Sequence, residues 1–369
     1  MIIGVPKEIK TLENRVGLVP ATVAELSSHG HTIYVENNAG LGSGFSNQDY
    51  EAVGAKVMAT AQEVFAIAEM IVKVKEPQPT EISMLRPGQI LFTYLHLAPD
   101  AEQTEGLMNS GAICIAYETV EDRNGRLPLL TPMSEVAGRL SVQIGARYLE
   151  RPNGGKGVLM NGVSGTPSAH VVVIGGGVSG TEAAKVAIGM GAKVTLFERS
   201  LDRIRYLKDI FGNSCEVIMS NSLNISTALK TADVVIGAVL VPGAAAPRVV
   251  TKEMLGLMEK GSVMVDIAID QGGCFETSKP TSHAEPIYDV EGITHYCVTN
   301  MPGAVPRTST FALNNATYHY VMQLANKGLD SLKADPGFLK GLNVYKGKLT
   351  CSAVAEAQGK DWVEPASVL

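Results

Sequence analysis

The chain of 369 residues is poor in cysteine, has no basic run and carries no long unbroken apolar stretch. Its five cysteines, Cys114, Cys215, Cys274, Cys297 and Cys351, are scattered and odd in number, with no CxxC pair. That spacing supports neither a disulfide framework nor a zinc site, and it fits idle or buried thiols in a reducing compartment. The formal charge of −6 is mild, so nothing marks a nucleic-acid partner. The opening MIIGVPKEIK has no charged leader followed by an apolar core, as a secretory signal would. The most apolar stretch, 234–246, is cut by Gly237, Pro242 and Gly243 and is too short to span a bilayer. These absences predict a soluble cytoplasmic protein. Its length and its hydrophobic content of 45% suit two domains with sizeable cores.

The most informative stretch is 171–198, VVVIGGGVSGTEAAKVAIGMGAKVTLFE. A β-branched apolar run ends in Gly175-x-Gly177-x-x-Gly180, a helical pattern follows, and a second apolar run closes on Glu198. In such a unit the first glycine allows a sharp turn and the second lets the backbone approach a pyrophosphate. The third lets the helix lie tight on the strand. The helix N-terminus offers unpaired N–H groups and a positive dipole end to phosphates. Glu198 stands where an acid hydrogen-bonds a ribose 2′-hydroxyl. The bland alternative is a structural βαβ turn without ligand. Strand, helix and acid together favour the dinucleotide site, where a lone GxGxxG would not. A carboxylate at 198 repels a 2′-phosphate and favours NAD over NADP, although Arg199 and Arg203 nearby pull the other way.

From 170 to about 300, apolar runs at 171–174, 194–197, 217–219, 234–238, 263–267 and 296–298 alternate with helical patterns. Six short continuous runs predict a parallel sheet buried on both faces, the strand count of a full dinucleotide fold. Residues 1–128 alternate in the same way, with strands expected at 2–5, 32–35, 70–74, 90–94 and 113–117, but contain no GxGxxG. Two helices should connect the domains, one capped by Thr131 before Pro132 and one over 310–324. The expected fold is therefore α/β, with two Rossmann-like doubly wound domains linked by long helices. An NAD domain (129–304) is inserted into a substrate domain (1–128 and 305–369), with a cleft between them.

Several polar residues fall at predicted strand ends, where open α/β sheets bind ligands. His96 follows a run in ILFTYLHLAP and can donate or accept a proton near neutrality, or can equally be a hydrogen-bonded structural histidine. Asp270, in VMVDIAIDQGG, can accept a proton from water or hold an ammonium, or can be an Asx-turn residue before Gly272-Gly273. Asp266 lies nearer the strand body and reads as structural. Lys75 in IVKVKEP suits a substrate carboxylate, but a solvated lysine is the ordinary case, and Lys73 alternates on the same face. Arg15, in TLENRVGLVP, has a fork suited to carboxylates, yet lone loop arginines are ordinarily exposed. The turn-rich 300–310, NMPGAVPRTST, reads as a loop over the nicotinamide or a linker, and NGGKG at 153–157 as a flexible hairpin.

Across essentially its whole length the chain resembles the bacterial alanine dehydrogenases. The resemblance is carried by IGVPKEIKTLENRVGLVP, IVKVKEP, FTYLHLAP, LLTPMSEVAGRLSVQIGA, VVVIGGGVSGTEAAKVAIGMGA, VDIAIDQGG and NMPGAVPRTST, in the family's order and spacing. It implies NAD-dependent oxidative deamination of L-alanine to pyruvate and ammonia, and the reverse amination. It implies that Arg15 and Lys75 bind the substrate, that His96 is the acid/base and that Asp270 handles the water or ammonia step. It implies an NAD site lined by Ser134, Gly175, Gly177, Val178, Ser179, Gly180, Glu198, Arg203, Ser220, Val239, Leu240, Ile267, Asp270, Val298, Asn300 and Met301, and a homohexamer. On that pattern alanine gives up a hydride from Cα, the iminium takes up water, and the carbinolamine collapses.

Two departures stand out. The family usually has Asp where Glu198 stands. Lys327 replaces a histidine that some members link to metal, so no metal is expected. The dinucleotide-binding subunit of a proton-translocating transhydrogenase shares this ancestry and is the nearest rival, but would leave His96 and Asp270 unexplained. A non-enzymatic NAD-binding protein would have no use for Arg15, Lys75, His96 and Asp270 together.

Overall fold

A computed structural model describes residues 1–239 and 246–369. They form two compact units, Met1–Met133 with Val305–Leu369, and Ser134–Ala304. The chain leaves the first unit inside the helix Thr131–Leu149 and returns to it just before the helix Pro306–Lys327. Among the described residues no helix is long and apolar enough to cross a membrane.

In chain order the first strands are β1 (Ile2–Val5), β2 (Thr32–Glu36), β3 (Lys56–Met58), β4 (Met70–Val72), β5 (Ile90–Thr93) and β6 (Ile113–Ala116). The second unit holds β7 (His170–Ile174), β8 (Lys193–Glu198), β9 (Glu216–Met219), β10 (Val234–Gly237), β11 (Val263–Asp266), β12 (Ile287–Val290) and β13 (Ile293–Tyr296). The C-terminal part adds β14 (Leu342–Tyr345) and β15 (Lys348–Leu349).

The first sheet has the order β3-β2-β1-β4-β5-β6-β14-β15, with β1 to β6 parallel and the last two antiparallel. The second runs β9-β8-β7-β10-β11-β13-β12, parallel except for β12. Both contain the doubly wound 3-2-1-4-5-6 order, which reverses direction between the first and fourth strands. Each unit is thus a Rossmann-like α/β layer structure, as the alternation of apolar runs predicted.

Strand β7 illustrates why the runs are continuous rather than alternating. Val171 and Val173 pack into one core with Ala183, Ala184 and Ala187 of the helix Val178–Gly189, while Val172 and Ile174 pack into another with Val235 and Phe275. A strand covered on both faces needs apolar side chains at every position.

Several local expectations are corrected. Strand β3 is short and begins on exposed Lys56, and β12 alternates exposed and half-buried residues, so neither carries an apolar run. Strand β13 lies at Ile293–Tyr296 rather than 296–298, because two of its four residues are buried polar ones. His295 there is fully buried, hydrogen-bonded to Thr277 Oγ1 at 2.8 Å and stacked on Tyr288. Thr131 lies inside its helix, and its hydroxyl donates to the Leu127 carbonyl instead of capping. Residues 153–157 are no flexible hairpin: a Cβ on Gly155 would lie 2.2 Å from the Tyr148 carbonyl oxygen, and Lys156 pairs with Asp233 and Glu259. The stretch 300–310 is mostly helical, with a 3-10 turn at Met301–Ala304 and an α-helix from Pro306.

The helix Pro306–Lys327 also fixes the loop that carries Arg15. Buried Asn314 donates to the Gly17 carbonyl at 2.8 Å and accepts from Val19 N and Thr22 Oγ1, and Thr310 Oγ1 accepts from Val16 N. Residues nearly three hundred positions away thereby satisfy the backbone of a loop that would otherwise be buried without partners.

Candidate active site

In the first unit the candidate residues sit just beyond the carboxyl ends of the parallel strands: Arg15 in the loop after β1, Lys75 after β4 and His96 after β5. Arg15 is buried, not exposed. Its Nε and Nη2 donate to the two carboxylate oxygens of Glu13, at 2.7 and 2.6 Å, and Nη1 lies 3.0 Å from Met133 Sδ. Burial pulls the guanidinium pKa down, but the hydrogen bonds and charge of Glu13 outweigh it, so Arg15 stays firmly cationic.

The structure separates the two lysines that sequence pattern left equivalent. Lys73 is fully buried between Glu8 at 3.1 Å and Glu81 at 2.5 Å, an internal ion triad. Glu8 also accepts from the backbone N–H groups of Val74 (2.7 Å) and Lys75 (3.3 Å), so the triad holds the turn on which Lys75 stands. The Thr93 hydroxyl holds that turn too, donating to the Lys75 carbonyl at 2.8 Å. Lys75 Nζ lies 3.9 Å from Glu76 Oε2, and His96 Nδ1 lies 3.5 Å from the same oxygen. Lys10 pairs with the other oxygen, Oε1. Burial pushes the Glu76 carboxyl up, but His96, Lys75 and Lys10 together hold it well below the usual carboxylate range. A cavity of about 450 Å³ opens beside Glu76 and Lys10, lined also by Gln78, Ile82 and Gln103.

His96 has a left-handed backbone, φ 49°, uncommon for a residue with a side chain. Its N–H donates to Glu118 Oε1 at 2.6 Å, and the N–H of Leu95 donates to the same carboxylate, which holds the conformation in place. Strain of this kind persists only where surroundings over-determine it. The ring stacks on Tyr94 at 5.6 Å between centroids, and the Tyr94 hydroxyl donates to the Leu129 carbonyl. Its side chain is 41% exposed, so the imidazole is reachable from solvent.

In the second unit many of the residues that the resemblance assigns to NAD follow strand ends. Gly175 follows β7, Ser220 follows β9, Val239 follows β10, Ile267 and Asp270 follow β11, and Val298, Asn300 and Met301 follow β13. Glu198 ends β8, while Ser134 lies in the helix Thr131–Leu149. Leu240 lies outside the described residues.

The three glycines of the turn differ in what surrounds them. Gly175 has φ 105°, and a Cβ there would lie 2.6 Å from the Ala238 carbonyl oxygen. A Cβ on Gly180 would lie 1.8 Å from the Gly175 carbonyl oxygen. A Cβ on Gly177 would meet nothing within 4 Å. Gly177 precedes the helix Val178–Gly189 with no side-chain cap, while Val178 is exposed and Ser179 half-buried. An open cradle at an uncapped helix N-terminus fits a pyrophosphate, because its N–H groups point outward and the dipole favours negative charge.

Glu198 is turned onto this loop. Its Oε2 accepts from Gly176 N at 2.8 Å, and Oε1 accepts from Arg199 N and Ser200 N at 2.7 and 2.8 Å. Arg203 completes the clamp on Gly176, its Nε donating to the carbonyl at 2.7 Å and its Nη2 to Thr181 Oγ1 at 3.0 Å.

The loop after β11 resolves the two aspartates. Asp266 is the turn-forming residue: fully buried, it accepts from Ala268 N, Cys274 N and Ser278 Oγ. Burial nevertheless raises its pKa. Asp270, three residues into the 3-10 turn Ile267–Gln271, is exposed. Sequence reasoning passed over Glu13, Glu76, Tyr94 and Glu118. For Glu13 and Glu76 the available signal was a carboxylate beside each predicted substrate cation. All five cysteines are free thiols. Among the described residues no cluster of three metal-ligating side chains occurs.

Known proteins resemble this chain over both units. The model of the alanine dehydrogenase/PNT N-terminal domain matches residues 4–137 and that of the C-terminal domain residues 141–352. The chain is 54% identical to an alanine dehydrogenase of Methanococcus maripaludis, over 97% of this chain and 96% of that protein. It is 53% identical to an alanine dehydrogenase of Bacillus subtilis, over 98% and 96%. A solved L-alanine dehydrogenase superposes with TM-score 0.95 at 54% identity, covering 97% of this chain and 99% of that one. A transhydrogenase from Sinorhizobium meliloti is more distant, with TM-score 0.83 at 26% identity over 95% and 100%. Matched in both halves and by relatives of nearly equal length, the chain belongs to the alanine dehydrogenase/PNT family.

Proposed function

We infer that this chain is an NAD-dependent L-alanine dehydrogenase, interconverting L-alanine with pyruvate and ammonia. Relatives of that name match it nearly end to end at 53–54% identity. The observation that carries the reading is that Arg15, Lys75 and His96 all lie in loops that follow parallel strands of the first sheet, with Lys75 and His96 sharing one oxygen of Glu76. The transhydrogenase reading has only the distant relative in its favour.

The second unit is the cofactor domain and the first the substrate domain. Gly175, Gly177, Val178, Ser179 and Gly180 would hold the pyrophosphate, Glu198 and Arg203 the adenosine side, and Ser134, Ser220, Val239, Ile267, Val298, Asn300 and Met301 the rest; Leu240, outside the described residues, joins them on the resemblance alone. NAD, when bound, supplies the acceptor for the Cα hydride of alanine. Arg15 and Lys75 bind the substrate carboxylate and carbonyl, their two positive charges neutralising it. His96 moves the proton at the substrate nitrogen or oxygen, as an imidazole can in either direction near neutral pH. Asp270, an exposed residue, takes the proton of the attacking water or holds the ammonium. The protein works in the cytoplasm as a homohexamer on small-molecule substrates, without nucleic acid, membrane or metal.

The test is NADH oxidation by pyruvate with and without ammonia. Oxidation that requires both substrates is expected; oxidation by pyruvate alone, or none at all, overturns the reading. Sizing chromatography checks the hexamer.

A further inference from the structure

We propose that Glu76 is the positioning residue of His96: its Oε2 holds the imidazole at Nδ1, turns Nε2 toward the substrate and sets the ring's affinity for a proton. This rests on the reading of His96 as the acid/base of an alanine dehydrogenase.

The geometry is that of a carboxylate shared between one fixed cation and two functional groups. Lys10 occupies Oε1. Among the described residues Oε2 is buried and accepts no hydrogen bond of ordinary geometry. Its near neighbours are His96 Nδ1 at 3.5 Å and Lys75 Nζ at 3.9 Å. A buried carboxylate oxygen without a hydrogen bond is costly unless something draws on it. Catalytic hydrogen bonds are often long before substrate binds and shorten afterwards. An imidazole held at one nitrogen has its tautomer fixed and offers the other nitrogen to chemistry. Among the described residues the imidazole also stacks on the Tyr94 ring, the Lys75 ammonium shares Glu76 Oε2 with it, and the Glu118 carboxylate nearby is committed to the backbone N–H groups of Leu95 and His96. Glu76 is therefore the carboxylate placed to tune the ring. Lys10 opposes it from the far oxygen, which supplies two handles of opposite sign.

Removing the carboxylate disfavours protonated imidazole, whereas removing Lys10 favours it. In Glu76→Gln the acid limb of the kcat/KM profile should move down by about one pH unit, by Coulomb's law at this separation. Its kcat should fall about ten- to hundredfold, on the analogy of carboxylates that orient metal-bound histidines. In Lys10→Met the limb should move up, by about half a unit. The same shifts should appear in the pH dependence of His96 carbethoxylation by diethyl pyrocarbonate, followed by peptide mass spectrometry without turnover. Opposite shifts support the proposal. Limbs that stay in place, or that move together, overturn it even if rates fall, because a merely structural role lowers rates without moving them. If Glu76→Gln does not fold, Lys10→Met decides. Wild-type protein without alanine-dependent turnover but with opposite carbethoxylation shifts refutes the dehydrogenase reading and leaves the Glu76–His96 coupling standing. Turnover with unmoved shifts does the reverse.

Discussion

Glu13 grips Arg15 through two parallel hydrogen bonds, Nε to Oε1 at 2.7 Å and Nη2 to Oε2 at 2.6 Å, with both side chains buried. A guanidinium presents five donors in a rigid fork, so occupying one edge aims the other. Replacing Arg15 by Lys keeps the charge but loses the fork. The KM for pyruvate should rise about ten- to hundredfold, the worth of one charged hydrogen bond. Replacing Glu13 by Ala removes the buried carboxylate that faces this buried cation and should lower stability by about 3–5 kcal/mol. Steady-state kinetics and denaturant melts read the two effects; an Arg15→Lys enzyme with wild-type KM would remove Arg15 from the substrate site.

Asp270 differs from Asp266 in being an exposed residue, while Asp266 is consumed by its own turn. Asp270→Asn removes a proton acceptor at nearly constant shape. Turnover should drop by at least about a hundredfold, the lower range for a general base. NADH affinity, followed by fluorescence, should change little. Lost NADH binding with the chemistry preserved would reverse the assignment.

The fold was legible where burial demands a simple pattern. Strands buried on both faces, such as β7 and β11, show as unbroken apolar runs. The glycine turn shows because steric closeness at Gly175 and Gly180 excludes every other residue. Strand β13 was misplaced because Thr294 and His295 are polar yet buried, their groups satisfied by partners far away in sequence. Lys73 and Lys75 were inseparable for the same reason: what distinguishes them is Glu8 and Glu81 around one and Glu76 and His96 beside the other. Pairings between distant residues leave no local signal. The left-handed backbone at His96 was likewise invisible, since the Glu118 carboxylate that accepts from its N–H stands 22 positions away in sequence.

Hydride loss from alanine requires the neutral amine. Deamination should therefore accelerate with pH, kcat/KM rising about tenfold per unit until the substrate ammonium is titrated. Amination needs free ammonia together with a protonated acid to activate pyruvate, so its profile should be bell-shaped with an optimum below that of deamination. A flat deamination rate between neutral and alkaline pH would contradict the free-amine requirement.

Glu76 also makes a stability prediction with a definite sign. Its folded pKa is depressed, so it contributes stability above the ordinary carboxylate range. That contribution is lost as pH falls below about 4.3 toward the depressed value. At neutral pH Glu76→Gln should melt lower than wild type by about 4–8 °C, for a partly buried network worth about 2 kcal/mol. Toward pH 3 the two melting curves should converge. Differential scanning fluorimetry across pH measures this, and a gap that widens in acid would reverse the sign assigned to Glu76.

Gly177 and Gly180 offer the sharpest contrast between a residue kept for a ligand and one kept for the fold. A Cβ at 180 would stand 1.8 Å from the Gly175 carbonyl oxygen, backbone that cannot step aside without breaking the turn. Gly180→Ala should therefore lower stability, by about 1–3 kcal/mol as overpacking does, and weaken NADH binding with it. At 177 the same methyl group meets nothing in the protein, and the backbone φ of −68° suits any residue. Gly177→Ala should keep its melting temperature within about 1–2 °C of wild type, as for substitutions that disturb no packing. Its dissociation constant for NADH should nevertheless rise about tenfold or more, because the methyl takes the space through which the backbone approaches the pyrophosphate. Calorimetric titration with NADH and a thermal melt on each variant decide the matter. A Gly177→Ala protein that binds NADH normally would show that the open space at the head of this helix is not where the pyrophosphate lies.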